Sequence, residues 1–119
     1  MNNVKIWHKN IKNERNTPWL DWIRSGIKTY EGRLYKDDWI NMNIGDIIIF
    51  TDGIRLVKVK ILCFRFFEDF ESAFDMLGTR LVPIGNCTRE QVGIFYSNYF
   101  TKQDINKYGV VCVNLIVIN

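Results

Sequence analysis

The 119-residue sequence predicts an α+β fold: a small mixed β-barrel with short helices packed around it. Two observations carry the sheet. Ile47-Ile48-Ile49-Phe50 and Tyr108 to Ile118 are nearly unbroken apolar runs, the pattern of strands covered on both sides. Ile54 to Phe67 alternates over strand length, whereas the helical patterns are short and separated by turn signals. With 47% apolar residues, 8 Phe, 4 Trp and 5 Tyr, the chain can bury one core, so residues 1–119 read as a single domain.

Taken in order, Val4 to Ile11 alternates as a first strand, with Val4, Ile6 and His8 expected on the inward face and Lys5, Trp7 and Lys9 on the other. His8 then reads as a core or rim histidine held by a hydrogen bond, or as a catalytic group. Thr17 to Ser25 is a short helix with Thr17 as its cap, Pro18 in its first turn and Gly26 as its left-handed stop. One of its tryptophans is expected to flank the site, and Trp22 is the candidate.

Thr29 to Leu34 can run extended, which puts Thr29, Glu31 and Arg33 on one face and Tyr30, Gly32 and Leu34 on the other. Gly45-Asp46 is a turn before the Ile47 strand, and Thr51-Asp52-Gly53 returns the chain as a hairpin. In the following strand Val57, Val59, Ile61 and Cys63 face the core, and Lys58 and Lys60 face water. Phe70 to Leu77 is an amphipathic helix capped by Asp69 and closed by Gly78. Thr79 to Cys87 reads as an irregular loop, and Thr88-Arg89-Glu90-Gln91 as a capping box opening a helix to about Tyr99.

The net charge of +3 is uneven: residues 1–36 carry eight Lys/Arg against three acids, and the remainder eight against ten. Beside Trp7, Trp19, Trp22 and Tyr30, that basic third suits phosphate and stacked bases; a solubilising excess of lysine is the other reading. Cys63, Cys87 and Cys112 lack paired spacing, so reduced thiols and no metal are expected, and no cofactor is implied. With no long apolar run and no apolar centre near the N-terminus, a soluble intracellular protein is expected, with no membrane partner.

The densest chemistry lies in Gly26-Ile27-Lys28-Thr29-Tyr30-Glu31-Gly32-Arg33, two cations, a carboxylate and a hydroxyl between glycines. This G-x-K-T-x-E-x-R pattern resembles the signature of ASCH domains, a branch of the PUA-like RNA-associated β-barrels. Gly45-Asp46 with its strand, the Phe70 helix, Thr88-Arg89-Glu90 and Tyr108-Gly109-Val110-Val111 are similar to the family's later segments, in the same order. The resemblance implies a PUA-like barrel with a cleft for RNA or a modified nucleoside.

In that cleft Lys28, Thr29, Tyr30, Glu31, Arg33 and Trp22 are the candidate binding residues: cations for phosphate, Glu31 for an exocyclic amine, and an aromatic ring for stacking. A plain ion-pair network among Lys28, Glu31 and Arg33 is the alternative. The family also includes amidohydrolases acting on N4-acetylcytidine and proteins that cut RNA. Carried over by position, Lys28, Glu31 and Glu90 are the candidate catalytic residues, although Glu31 occupies the place of the hydrolases' threonine and cannot act as a hydroxyl nucleophile. Glu90 equally reads as a helix-dipole partner, and a ribonuclease would need His8 in the cleft.

Overall fold

The computed structural model describes residues 3–118, in which five strands form one sheet. In chain order the elements are β1 (Ile6–Asn10), α1 (Trp19–Arg24), β2 (Tyr30–Leu34), α2 (Asp38–Asn41), β3 (Ile47–Thr51), β4 (Leu56–Phe67), α3 (Phe70–Leu77), a 3-10 turn (Gly78–Arg80), α4 (Arg89–Ser97), α5 (Lys102–Tyr108) and β5 (Val110–Ile118). The sheet order is β1-β3-β4-β5-β2; β1 runs parallel to β3 and the other pairs are antiparallel. The result is a half-barrel, open between its edge strands β1 and β2, with the five helices around it.

The apolar runs are covered on both sides only in part. Val110 to Val113 of β5 are buried on both faces, but Ile116 and Val117 beyond them are exposed, and in β3 Ile48 and Phe50 are buried while Ile47 and Ile49 are half-buried. β4 buries Val57, Val59 and Ile61 as predicted, but a bulge between Ile61 and Cys63 shifts its register against β5, leaving Cys63 half-buried. The hairpin also forms: Gly53 has φ +96° and the Asp52 carboxylate accepts from the Ile54 and Arg55 amides. Asp69 caps α3 by accepting from Ser72 N (2.7 Å), and the Thr88–Gln91 capping box is complete at the start of α4.

Three expectations are corrected. β1 is inverted: Val4, Ile6 and His8 are exposed while Trp7 and Lys9 turn inward. The inward pair has partners that outweigh the small aliphatic side chains. Trp7 Nε1 donates to Asp46 (2.9 Å) and Lys9 Nζ to Asp38 (2.6 Å). Thr17 does not cap α1; it is buried, and its carbonyl accepts from the Glu14 and Trp19 amides. The last strand starts at Val110, because Tyr108 ends α5, a helix whose cap Thr101 accepts from Asp104 N (3.1 Å). Neither α5 nor the single turn α2 was expected.

Asp46 holds the sheet's other end. It is buried and accepts from Lys5 N (3.1 Å), Trp7 Nε1 and Asn43 N (3.0 Å). Burial works against its charge, but these donors outweigh it and hold its pKa below the usual value. No helix of the described residues is long and apolar enough to cross a membrane.

Candidate functional site

The open side of the half-barrel carries the motif. Gly26, at φ +83°, ends α1, and the next residues are pinned by main-chain bonds: Lys28 N to the Trp22 carbonyl (3.1 Å) and Thr29 N to the Arg80 carbonyl (3.0 Å). Lys28 therefore points inward. It is only 1% exposed, its Nζ donates to the Leu81 carbonyl, lies 3.5 Å from Glu31 Oε1 and sits 5.0 Å from the centre of the Trp19 ring. Burial lowers its pKa, with the Glu31 carboxylate opposing.

Glu31 is the hinge of the group. Its second oxygen accepts from Arg33 Nε at 2.9 Å, and Arg33 Nη2 reaches the Asn10 carbonyl at 2.8 Å. The Arg33 guanidinium lies 5.2 Å from the Trp39 ring centre and 5.9 Å from that of Phe50. Two cations thus surround one carboxylate, and period-two alternation places Glu31 and Arg33 together as predicted.

Beside them lies a cavity of about 210 Å³. Its polar side is Glu31 and Arg33 with Lys12 and Asn10; its walls are Ile11, Trp19, Tyr96, Tyr99 and Phe100. The aromatic walls brace one another. Phe70 stacks on Tyr96 (3.9 Å between centroids, 9° between planes) and on Phe100 (5.3 Å), while Trp19 tilts against Tyr96 (5.4 Å). Tyr99 Oη accepts from Trp19 Nε1 (3.0 Å) and donates to Glu14 (2.8 Å). Tyr96 Oη, buried, has no protein partner. Desolvation, with the Glu31 charge adding to it, pushes its pKa well above the usual phenol value, so it stays a neutral donor. A second, adjoining hollow of about 280 Å³ shares Arg33, Tyr99 and Phe100 and adds Lys36, Trp39 and Asp104.

The ASCH domain sequence profile matches residues 16–118, which takes in the motif, both capping signals and the closing strand. The chain belongs to the ASCH domain family. Its fold agrees with that of solved relatives. The crystal structure of hypothetical protein PH0355 is 29% identical, with a TM-score of 0.83 over 95% of this chain and 99% of that one. The solution NMR structure of protein PF0455 from Pyrococcus furiosus is 25% identical, with a TM-score of 0.76 over 96% and 98%. None of the curated proteins matches the sequence.

Within this ASCH domain the predicted residues separate into groups. Glu31 and Arg33 line the cavity; Lys28 stands behind them and does not. Thr29 is half-buried and uses its main chain, its carbonyl accepting from Leu115 N (2.8 Å). Tyr30 is buried on the other face of β2, where Arg80 covers its ring at 5.6 Å. The tryptophan at the cavity is Trp19 rather than Trp22, which meets Trp19 edge-on at 5.3 Å and stays outside the lining. Glu90 is exposed in the first turn of α4, and neither it nor His8 is among the lining residues.

Sequence reasoning missed Asn10 at the end of β1 with Ile11 and Lys12 after it, and Tyr96 of α4 with Tyr99 and Phe100 just beyond that helix. A signal existed: Tyr96, Tyr99 and Phe100 fall at helical spacing on a side too aromatic for packing alone. Of the free cysteines, Cys112 pairs with Gly32 in the β2–β5 ladder and feels the charges of Lys28 and Glu31. Cys112 is buried, which pushes its thiol up to about 12. Among the described residues no group of three or more His, Cys, Asp or Glu comes together as a metal site.

Proposed function

We propose that this ASCH domain binds RNA by taking the base of an unpaired nucleotide into the aromatic cavity, with Glu31 and Arg33 meeting its polar edge. The observation that carries the reading is that the Glu31–Arg33 ion pair lines a hollow of about 210 Å³ whose walls include the rings of Trp19, Tyr96, Tyr99 and Phe100. That volume is below the roughly 300–1,000 Å³ of sites for larger ligands. It suits one ring system. Aromatic walls contribute about 1–3 kcal/mol per stacked base, and the family's general association with RNA points the same way.

Arg33 has donors to spare. Of about five guanidinium N–H groups, one goes to Glu31 and one to Asn10, so the rest are free for a phosphate or a base acceptor. Glu31 keeps acceptor capacity for an amine or imino N–H. Lys12 at the cavity, and the basic first third of the chain, supply attraction for the backbone. A free modified nucleoside would use the same contacts without the backbone.

Hydrolysis draws less support. An N4-acetylcytidine-type amidohydrolase needs Lys28 to touch its substrate and Glu90 to join it, yet one is sealed behind the wall and the other is exposed outside the lining. A ribonuclease needs His8 at the cavity.

The test is titration of short single-stranded RNA and of N4-acetylcytidine into the protein, read by tryptophan fluorescence through Trp19, with deacetylation and strand cleavage followed in the same samples. Saturable RNA quenching that falls with salt at a log–log slope of about −1.4 to −2.1, equivalent to two or three phosphates on a single strand, and that Arg33→Gln weakens, supports the reading. No quenching by any oligomer, or binding indifferent to Arg33, removes it; deacetylation by the wild type would move the assignment to the hydrolase.

A further inference from the structure

Tyr96 is a rigid residue with an unused polar atom. Its position on α4 is fixed by the Thr88–Gln91 capping box, and its ring is held between Phe70 and Trp19, so it cannot swing its hydroxyl to another partner. The residue is 4% exposed, and Tyr96 Oη is the one buried side-chain polar atom among the described residues without a protein partner. Buried polar groups are nearly always satisfied. Phenylalanine would give the same stack without an orphan, so packing does not explain the oxygen. Its ring lines the cavity that Glu31 also lines.

Resting on the RNA reading above, we infer that Tyr96 is a specificity-determining residue, donating its hydroxyl to an acceptor on the Watson–Crick edge of an unpaired base whose neighbouring N–H is taken by Glu31. A donor and an acceptor in the lining of one cavity can meet the acceptor and N–H that bases carry side by side on that edge. Three consequences follow from the chemistry. The edge must be free, so paired RNA is excluded. A methyl on the edge N–H removes the contact to Glu31 and blocks entry. Tyr96 and that N–H act through the same bound pose, so removing both costs little more than removing either.

The experiment is a cycle of protein and ligand changes, using the full chain, octauridine and the same oligomer built from N3-methyluridine. Tyr96→Phe is expected to keep or raise the melting temperature, because it removes only the unpartnered oxygen. It should weaken octauridine binding about tenfold, N3-methylation should weaken wild-type binding by a similar factor, and the two together should fall well short of a hundredfold. Tyr96→Phe binding octauridine as tightly as the wild type would overturn the inference and leave the hydroxyl satisfied by water alone. Full additivity would overturn it too, because the two groups would then act independently. A wild type that binds no oligomer sinks the RNA reading itself, an outcome distinct from both.

Discussion

Arg33 Nη2 donates to the Asn10 carbonyl at 2.8 Å and so joins β2 to β1, the two edge strands that share no ladder in the open sheet. The same guanidinium holds Glu31 through Nε at 2.9 Å. Only a planar fork can serve both at once. Arg33→Lys is therefore expected to keep the charge but lose one bond, costing about 1–2 kcal/mol of stability. With the gap between the edges loosened, RNA affinity should fall about tenfold. Urea unfolding and RNA titration on one preparation check both, and a lysine variant equal to the wild type in binding would refute the role given to the fork.

Lys28 and Glu31 are a buried pair, with side chains 0% and 6% exposed. Removing one partner strands the other. Lys28→Met, which preserves the apolar stem against Trp19, is expected to cost about 3 kcal/mol. Lys28→Met with Glu31→Gln should recover part of that loss, giving a coupling of about 1 kcal/mol or more in denaturant unfolding. Because Lys28 stands behind the cavity wall, Lys28→Met should still bind RNA within about threefold wherever it is folded, provided Arg33 keeps Glu31 in place. A binding loss far beyond that would put the amine in contact with the ligand.

The pH profile separates two buried groups by sign. Asp46 has a folded pKa below its ordinary 3.8, so its stabilisation is present above that value and disappears as pH falls through the folded pKa. Cys112 ionises near 9.0 when unfolded and only at about 12 when folded, so stability falls as pH rises from 9.0 toward 12. Lys28 acts the opposite way: its folded pKa is lowered, and its contribution improves as pH rises toward 10.5. Asp46→Asn should flatten the acid limb, and Cys112→Ala the alkaline limb, in melting temperatures taken from pH 3 to 10. Unchanged limbs in these variants would contradict the assignment.

What could be read from the sequence was what local spacing decides. The caps at Asp69 and Thr88 bond to residues three positions on, so the residue types alone reveal them. Glu31 and Arg33 are two apart on a strand, and alternation brings them together. The face of β1 could not be read this way, since it depends on Asp46 and Asp38, which Trp7 and Lys9 meet only after the sheet forms. The cavity is less local still. Its walls join residues as distant as Trp19 and Tyr99, and whether Lys28 would face ligand or core depended on where the Leu81 carbonyl fell.

Gly32 connects the motif strand to those walls. A Cβ added there would lie 3.1 Å from Phe70 Cε1 and 3.4 Å from Leu81 Cδ1, both in fully buried side chains. Phe70 has little room to yield, since its ring is stacked against Tyr96 and Phe100. Gly32→Ala is expected to cost about 1–3 kcal/mol through overpacking. Any shift of Phe70 passes to two cavity walls, so RNA affinity should drop as well. Gly93→Ala on α4 is the contrasting case: its Cβ meets only the end of the flexible Glu71 side chain at 3.0 Å, and alanine favours the helix by about 1 kcal/mol. That variant should be neutral or more stable and bind RNA as the wild type does. Equal behaviour of the two in melting and titration would mean that the Phe70 stack does not shape the cavity.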